Sequence, residues 1–500
     1  MSTDLDLSKS KRVHIVGIGG AGMSAIAVVL ASMGHTVSGS DLKYSDRVEK
    51  RLNSAGIKVY LGHDPTYVTD AEVLAVSTAI PSDNPEVDQA RARGIPVLCR
   101  ADILKAICAL KKTVAVAGTH GKTTTSFMLA LILLEAGWHP SYIIGGQLKR
   151  GDQEEQKVQK DTGDVIPAAS WDTGEWLVVE ADESDGTFLK LNPTTCLVTN
   201  IEADHLDYWH SPDHLKEGFY SFFSKVSGTK VIGITAVDPE IADRKLSSGF
   251  FGRNDVLTYG LTPDCDYQAV EIENSINGSV FSVVANMTDS RGHSQVVDNA
   301  NPKKSPSTKS LMSFELFVPG MHNVCNALGA LSLAIALGVD FQAIKRGLQR
   351  FLGVARRFEF RGSFQGITFI DDYAHLPSEV TAALATAKLG NWKRIVCVFQ
   401  PHRYSRTERL RGDFADAFRD ADLLVLTDIY SAGEQAKTDI SGKLILDAVL
   451  GFNPLHNVAW LPTRDELIAY LKHKLKPGDL CLTLGAGDIT LLPDQVISVG

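Results

Sequence analysis

Cysteine is scarce. The chain has seven in 500 residues, at positions 99, 108, 196, 265, 325, 397 and 481, an odd number with no C-x-x-C spacing. That pattern argues against a disulfide framework and for reduced thiols in the core of a cytoplasmic protein. Long apolar runs are missing too. Nothing approaches the ~18 consecutive apolar residues of a membrane span, and residues 1–12, MSTDLDLSKSKR, hold no stretch resembling a signal peptide. Positive charge is in deficit: the formal net charge is −9 and the pI is near 5.9. Neither a nucleic acid nor an acidic membrane surface is therefore an expected partner, and small-molecule chemistry is favoured. No repeat of 20–50 residues stands out, which excludes a solenoid.

Apolar residues make up 44% and charged residues 22% of the chain, the balance of a globular protein rather than a disordered one. Cores rarely exceed ~250 residues before splitting, so 500 residues predict about three domains. The chain reads as α/β throughout. VHIVGI, HTVSGSD, VLAVSTAI and IPVLCR are strand signals separated by helical segments within residues 1–112. TVAVA opens a second unit, 113–353, with further strands at WLVVEAD and TTCLVTNI. GITFIDDYAH, KRIVCVFQPHR, LLVLTDIY and LCLTLGAGDI space a third, 354–500. The predicted architecture is a Rossmann-like amino-terminal domain, a central P-loop ATPase with a mostly parallel sheet, and a Rossmann-like carboxy-terminal domain. Polar stretches at 150–172 and 289–310 read as loops or insertions.

In VAVAGTHGKTTTS an apolar strand runs through a small-residue turn into a helix, so backbone N–H groups and the helix dipole converge on an anion. Lys122 adds a positive charge for the β and γ phosphates, and the Thr123 hydroxyl is placed to ligate Mg²⁺. The match to G-x-x-x-x-G-K-[ST] is imperfect, because Val116 stands where the first glycine belongs and Gly118 comes two residues later.

Gly17, Gly19 and Gly22 satisfy G-x-G-x-x-G directly after a strand, and Asp41 ends the next strand about 20 residues on, where a ribose ligand is expected. Alone, this suits a nicotinamide oxidoreductase. The same turn binds any diphosphate, however, and hydride transfer has no use for the ATP site downstream. Carboxylates also leave two strands of the middle region: Glu180 followed by Asp182, Glu183 and Asp185, and Asp204 and Asp207 around His205. Mg²⁺ asks for one or two such oxygens, whereas imidazole is an unusual partner for it.

Together, GTHGKTTT, EADESDGTF, IEADHLDYW, PGMHNVCNALGA, ARRFEF, DDYAHLPSE and FQPHRYSRT resemble the Mur ligases, ATP-dependent amide-bond ligases of peptidoglycan precursor synthesis, in family order and along essentially the whole chain. GIGGAGMSAIA, SGSD and STAIP are similar to the members that add the first residue, L-alanine, to UDP-N-acetylmuramate; a sister ligase adding another amino acid or a recycled tripeptide is the alternative. The resemblance implies ATP and Mg²⁺, with Mn²⁺ able to substitute, and a monomer or homodimer. It places Gly17, Gly19, Gly20, Gly22, Asp41, Ser77 and Thr78 at the UDP substrate. It places Gly118, Thr119, His120, Gly121, Lys122, Thr123, Thr124, His322, Asn323, Asn326 and Arg357 at ATP, and Thr123, Glu180 and His205 at the metal. His375, His402, Arg403 and Arg406 fall on the amino-acid side, and Lys122, Glu180, His205, His375 and Arg403 carry the catalysis. One departure is visible: relatives commonly read DDYxHHP where this chain has Leu376 after His375.

Overall fold

A computed structural model describes residues 5–149, 166–233, 255–286 and 311–498. Most of the 150–172 stretch and all of 289–310 lie outside the described residues. The chain packs as two compact units. One comprises residues 1–272, 281–315 and 324–352, the other residues 273–280, 316–323 and 353–500.

The first unit opens with five parallel strands: β1 (Arg12–Val16), β2 (Thr36–Asp41), β3 (Lys58–Leu61), β4 (Val73–Val76) and β5 (Val97–Cys99), in the order β3-β2-β1-β4-β5. The order reverses at β1, so the carboxyl end of β1 is a switch point where a ligand crevice forms. Val13, Ile15 and Val16 are fully or almost fully buried, and the helix Ala21–Ser32 packs its apolar face onto the same core.

Among the described residues a second sheet has ten strands: β6 (Lys112–Ala117), β7 (Ser141–Ile143), β8 (Ala169–Ser170), β9 (Trp176–Glu180), β10 (Thr195–Val198), β11 (Lys230–Gly233), β12 (Val256–Gly260), β13 (Tyr267–Ser275), β14 (Gly278–Ala285) and β15 (Leu311–Leu316). The order is β15-β14-β13-β12-β11-β10-β6-β9-β7-β8. From β7 through β9, β6, β10 and β11 to β12 every pairing is parallel. Four residues of β6, Val114 to Ala117, are wholly buried, as a strand covered on both faces requires.

The second unit carries β16 (Glu359–Phe364), β17 (Ile367–Asp372), β18 (Arg394–Phe399), β19 (Leu423–Leu426), β20 (Val458–Trp460) and β21 (Asp479–Leu484), ordered β16-β17-β21-β18-β19-β20. Only the edge pair β16–β17 is antiparallel; the others run parallel. The predicted α/β class, with three largely parallel sheets, is the fold observed. None of the seven cysteines forms a disulfide, and five are buried.

Candidate functional site

The phosphate loop joins β6 to the helix Lys122–Glu135. Gly118 and Gly121 both hold left-handed backbone, at φ +125° and +80°. The turn is fastened from β10's exit: the Asn200 carbonyl accepts from Thr119 N at 3.1 Å and its Oδ1 from His120 N at 2.8 Å, while Asn200 Nδ2 donates to the His120 carbonyl. A side chain on Gly121 would meet Asn326 Oδ1 at 2.2 Å, so Asn326 lies against the loop. Thr124 is buried in the first helical turn beneath it.

Lys122 bends back over the turn, donating to the carbonyl of Gly118 at 2.6 Å and to Glu183 Oε2 at 2.7 Å. Burial opposes its charge, but Glu183, Asp182 and Glu180 together hold its proton more firmly than usual. One residue on, Thr123 Oγ1 donates to Glu180 Oε1 at 2.8 Å, and Gly145 N donates to Glu180 Oε2 at 2.7 Å. β9 ends at Glu180 in register with Val116 of β6, which places the carboxylate beside the loop. His205 Nε2 stands 3.2 Å from Asp204 Oδ2 and 3.8 Å from Glu183 Oε1. The structure thus joins Thr123 to Glu180 directly and brings His205 to the same cluster through Glu183.

Glu183, one of the carboxylates that follow Glu180 in EADES and the one to which no motif gives a role, is the hub. Its carboxyl is 1% exposed, and its backbone carbonyl is pinned by Trp209 Nε1 at 3.0 Å. Oε1 is buried and has no hydrogen-bond partner among the described residues. A buried carboxylate oxygen with no hydrogen-bond partner, 3.8 Å from the His205 imidazole, is the kind of donor an oxygen-preferring divalent cation takes, although no group of three or more His, Cys, Asp or Glu among the described residues is gathered closely enough to hold one as it stands. Burial, with Asp182 adding to it, pushes Glu183 up to about 7 despite Lys122. A carboxyl raised from its ordinary 4.5 to about 7 in the folded state adds stability below ~4.5 that is lost as pH rises through ~7. Against Glu183→Gln, the metal-free wild type is therefore expected to lose up to ~3 kcal/mol between pH 4.5 and 7.5, read from paired thermal melts in EDTA. Parallel melts of the two proteins would contradict the assignment.

The amino-terminal turn is equally tight. Gly17, at φ +81°, would place a Cβ 2.7 Å from that of Ser77, and Ser77 N donates to the Val16 carbonyl. Asp41 Oδ2 accepts from Gly19 N at 2.9 Å, so this carboxylate braces the turn. Gly20 caps the helix Ala21–Ser32, and Thr78 is exposed nearby in sequence to Ser77. A methyl at Gly22 would lie 3.2 Å from Arg100 Nη1, and Arg100 Nη2 reaches Asp185 at 3.2 Å and Asp182 at 3.7 Å. Arg100 therefore spans from the glycine turn to the acidic exit of β9, a link that no local motif announces.

In the second unit His322 stands exposed over Gly320, and Asn323 Nδ2 donates to the Pro319 carbonyl at 2.7 Å. Arg357 lies 3.5 Å from Glu379 and over the Tyr373 ring. His375 meets Glu379 Oε2 at 3.2 Å, and its ring lies 5.6 Å from that of His402. Arg406 Nη1 donates to His402 Nδ1 at 2.9 Å. Burial, then His375, Arg406 and Arg403, push His402 down to about 3, which keeps it neutral. Arg403, at φ +68°, has a buried Nε with no hydrogen-bond partner among the described residues. Leu376, which follows His375 in DDYAHLPSE, is 3% exposed and so is a core position.

The chain matches the Mur ligase family catalytic domain over residues 12–112, the Mur ligase middle domain over 116–334, and the Mur ligase glutamate ligase domain over 356–487. It is 40% identical over 484 residues to a UDP-N-acetylmuramate–L-alanine ligase of Geobacter sp. (strain M21), covering 96% of each chain. It is 40% identical over 490 residues to that of Geotalea daltonii, covering 98% of each. A solved UDP-N-acetylmuramate–alanine ligase of Thermotoga maritima superposes with a TM-score of 0.74 at 27% identity, over 98% of this chain and 99% of that one. The chain belongs to the Mur ligase family.

Proposed function

We propose that this enzyme joins L-alanine to the carboxylate of UDP-N-acetylmuramate, converting ATP to ADP and phosphate, in cytoplasmic peptidoglycan precursor synthesis. The observation that carries the reading is the phosphate loop with Lys122 locked against Glu183 and Thr123 against Glu180, in a chain similar along its length to L-alanine ligases. The division of labour follows three segments, 1–112 for the UDP part, 113–353 for ATP and 354–500 for the amino acid, supported by the three sheets and the three matched segments. The protein acts as a monomer or homodimer. No helix among the described residues is long and apolar enough to cross a membrane.

A carboxylate is deactivated by its own charge and would have to expel oxide, so it does not condense with an amine at neutral pH. Its oxygen attacks the γ-phosphorus, ADP leaves, and the acyl phosphate retains the phosphoryl group. The alanine amine then attacks the carbonyl, phosphate departs, and the ammonium loses its proton. At ~4 Å and an effective dielectric constant of ~20, the approaching anions repel by ~4 kcal/mol per charge pair. Lys122 and the loop N–H groups offset that repulsion. Thr123, Glu180 and His205, with Glu183, would hold Mg²⁺, or Mn²⁺ in its place, which supplies further neutralisation of the phosphates. On the amino-acid side, Arg403 and Arg406 suit a carboxylate, while His375 and neutral His402 line the same cluster.

Phosphate release measured with UDP-N-acetylmuramate against L-alanine, glycine, L-serine and a muramyl tripeptide tests the assignment. L-alanine should sustain the highest kcat/KM. Preference for the tripeptide would instead make the chain a recycling ligase.

A further inference from the structure

We propose that Cys99 and Lys190 are a peroxide-sensitive crosslinking site, at which hydrogen peroxide oxidises the thiol and the lysine amine then closes a sulfur–nitrogen bond. A thiol, a primary amine and a carboxylate stand there within hydrogen-bond distance of one another. The pair takes no part in the ligase reaction proposed above.

Cys99 ends β5 and Lys190 ends the short turn Thr187–Lys190, 91 residues apart in the chain. Lys190 Nζ donates to Cys99 Sγ at 3.2 Å and to Asp102 Oδ1 at 2.9 Å. Asp102 lies in the first turn of the helix Arg100–Cys108, and its Oδ2 accepts from Cys99 Sγ at 3.0 Å and from Cys99 N at 3.2 Å. The cluster is open to a small oxidant: Cys99 is half-buried, and the Lys190 and Asp102 side chains are 48% and 38% exposed. Core thiols differ. Burial pushes Cys108, Cys196 and Cys481 up to about 12, where almost no reactive thiolate forms at neutral pH. An exposed lysine–aspartate pair contributes little to stability, so this one does more to hold the amine on the sulfur than to hold the fold.

Hydrogen peroxide supplies the oxidation. Sulfur attacks one peroxide oxygen, the O–O bond breaks, and the thiol proton, which Asp102 is placed to relay, leaves with the departing hydroxide as water. Cys99 is then a sulfenic acid, oxidised by two electrons, and sulfenic acids condense with nearby nitrogen. The bond to Asp102 holds the Lys190 proton more firmly than usual in the reduced pair, and the same carboxylate is the base that takes it once sulfur is oxidised. The freed lone pair attacks sulfur, the S–O bond breaks, and hydroxide leaves with a second nitrogen proton as water. The whole sequence consumes one peroxide and releases two waters and one proton. Two equivalents of a small thiol reverse it, restoring the thiol and the amine and leaving the small thiol as its disulfide. Arg100, the next residue, reaches Asp185 and Thr187 at the start of the same turn. The crosslink thus makes permanent a junction between the exit of β5 and the segment that follows Glu183.

Full-length wild type treated with hydrogen peroxide, digested and read by mass spectrometry tests this. The peptide holding Cys99 should be joined to the one holding Lys190, at their summed mass less two hydrogens, and dithiothreitol should separate them. Lys190→Arg keeps the charge at a half-exposed position but offers no amine nucleophile. It should give no joined pair and should accumulate a Cys99 sulfenic acid that dimedone captures, severalfold more than in wild type, where the lysine competes. Cys99→Ser should give neither product. A Cys99 that peroxide leaves unmodified overturns the proposal. Equal dimedone capture in wild type and Lys190→Arg with no joined pair does so too, as does a joined pair that retains an oxygen between sulfur and nitrogen.

Discussion

Replacing Lys122 by alanine is expected to lower ATP-dependent phosphate release on the order of 10³-fold, the loss that follows removal of one preorganised charge aimed at a developing anion. The side chain is held at the loop before any nucleotide arrives, by the Gly118 carbonyl and Glu183. It therefore needs little reorganisation to meet a γ-phosphate. Alanine also leaves Glu183 buried without its cation. The carboxyl already lies near 7, so it takes up a proton at neutral pH instead of unfolding the site. Arginine should not rescue the variant, because its planar fork cannot fold back onto the turn as an ammonium does. Calorimetry with UDP, which the amino-terminal sheet takes in the proposed scheme, should give wild-type affinity. Unimpaired phosphate release from a correctly folded variant would remove Lys122 from the mechanism.

What the sequence displayed and what it hid divide along a physical line. Strand exits and glycine turns are local: Gly17 and Gly121 need left-handed backbone, Glu180 ends an apolar run, and these features print directly as residue type and spacing. Contacts between separated segments do not. Asn200 was visible only as the last letter of CLVTN, although its side chain ties down the loop from 80 residues away. Glu183 sat among four acids whose roles are set by burial, and burial depends on Trp209 and Lys122 arriving from elsewhere. Arg100 looks like an ordinary helix start, yet it faces both Gly22 and Asp185. Asp41 was legible as a candidate ribose ligand, whereas its bond to Gly19 N, which braces the turn, was not. The contacts of Glu86 with His14, Ser40 and His63 were invisible for the same reason, since these four residues come from β1, β2, the exit of β3 and a later helix.

The departure of the loop from the common P-loop spacing leads to the second large effect. Gly118→Ala is expected to abolish magnesium-nucleotide binding, although a methyl group is a small addition. Gly118 holds φ +125°, a region L-residues avoid, and its Cβ would fall 2.2 Å from Thr199 Oγ1, 2.9 Å from the Asn200 carbonyl oxygen and 3.0 Å from Asn200 N. The first clash is with a side chain that could be trimmed, but the other two are with backbone, and that backbone accepts the Thr119 N–H that closes the turn. Relief requires β10's exit and the loop to part, which breaks the bonds from Thr119 and His120 together. Strain at such a position costs ~1–3 kcal/mol by itself, and the lost hydrogen bonds add to it. Val116, by contrast, occupies a fully buried strand position where the common pattern has its first glycine, so the short turn begins two residues later and depends wholly on Gly118. Thr199→Ala in the Gly118→Ala background should therefore restore little, whereas if the hydroxyl clash alone mattered it would restore binding. Calorimetry with the magnesium–ATP complex on the two variants decides between these outcomes, with UDP binding as the control that the amino-terminal sheet is intact.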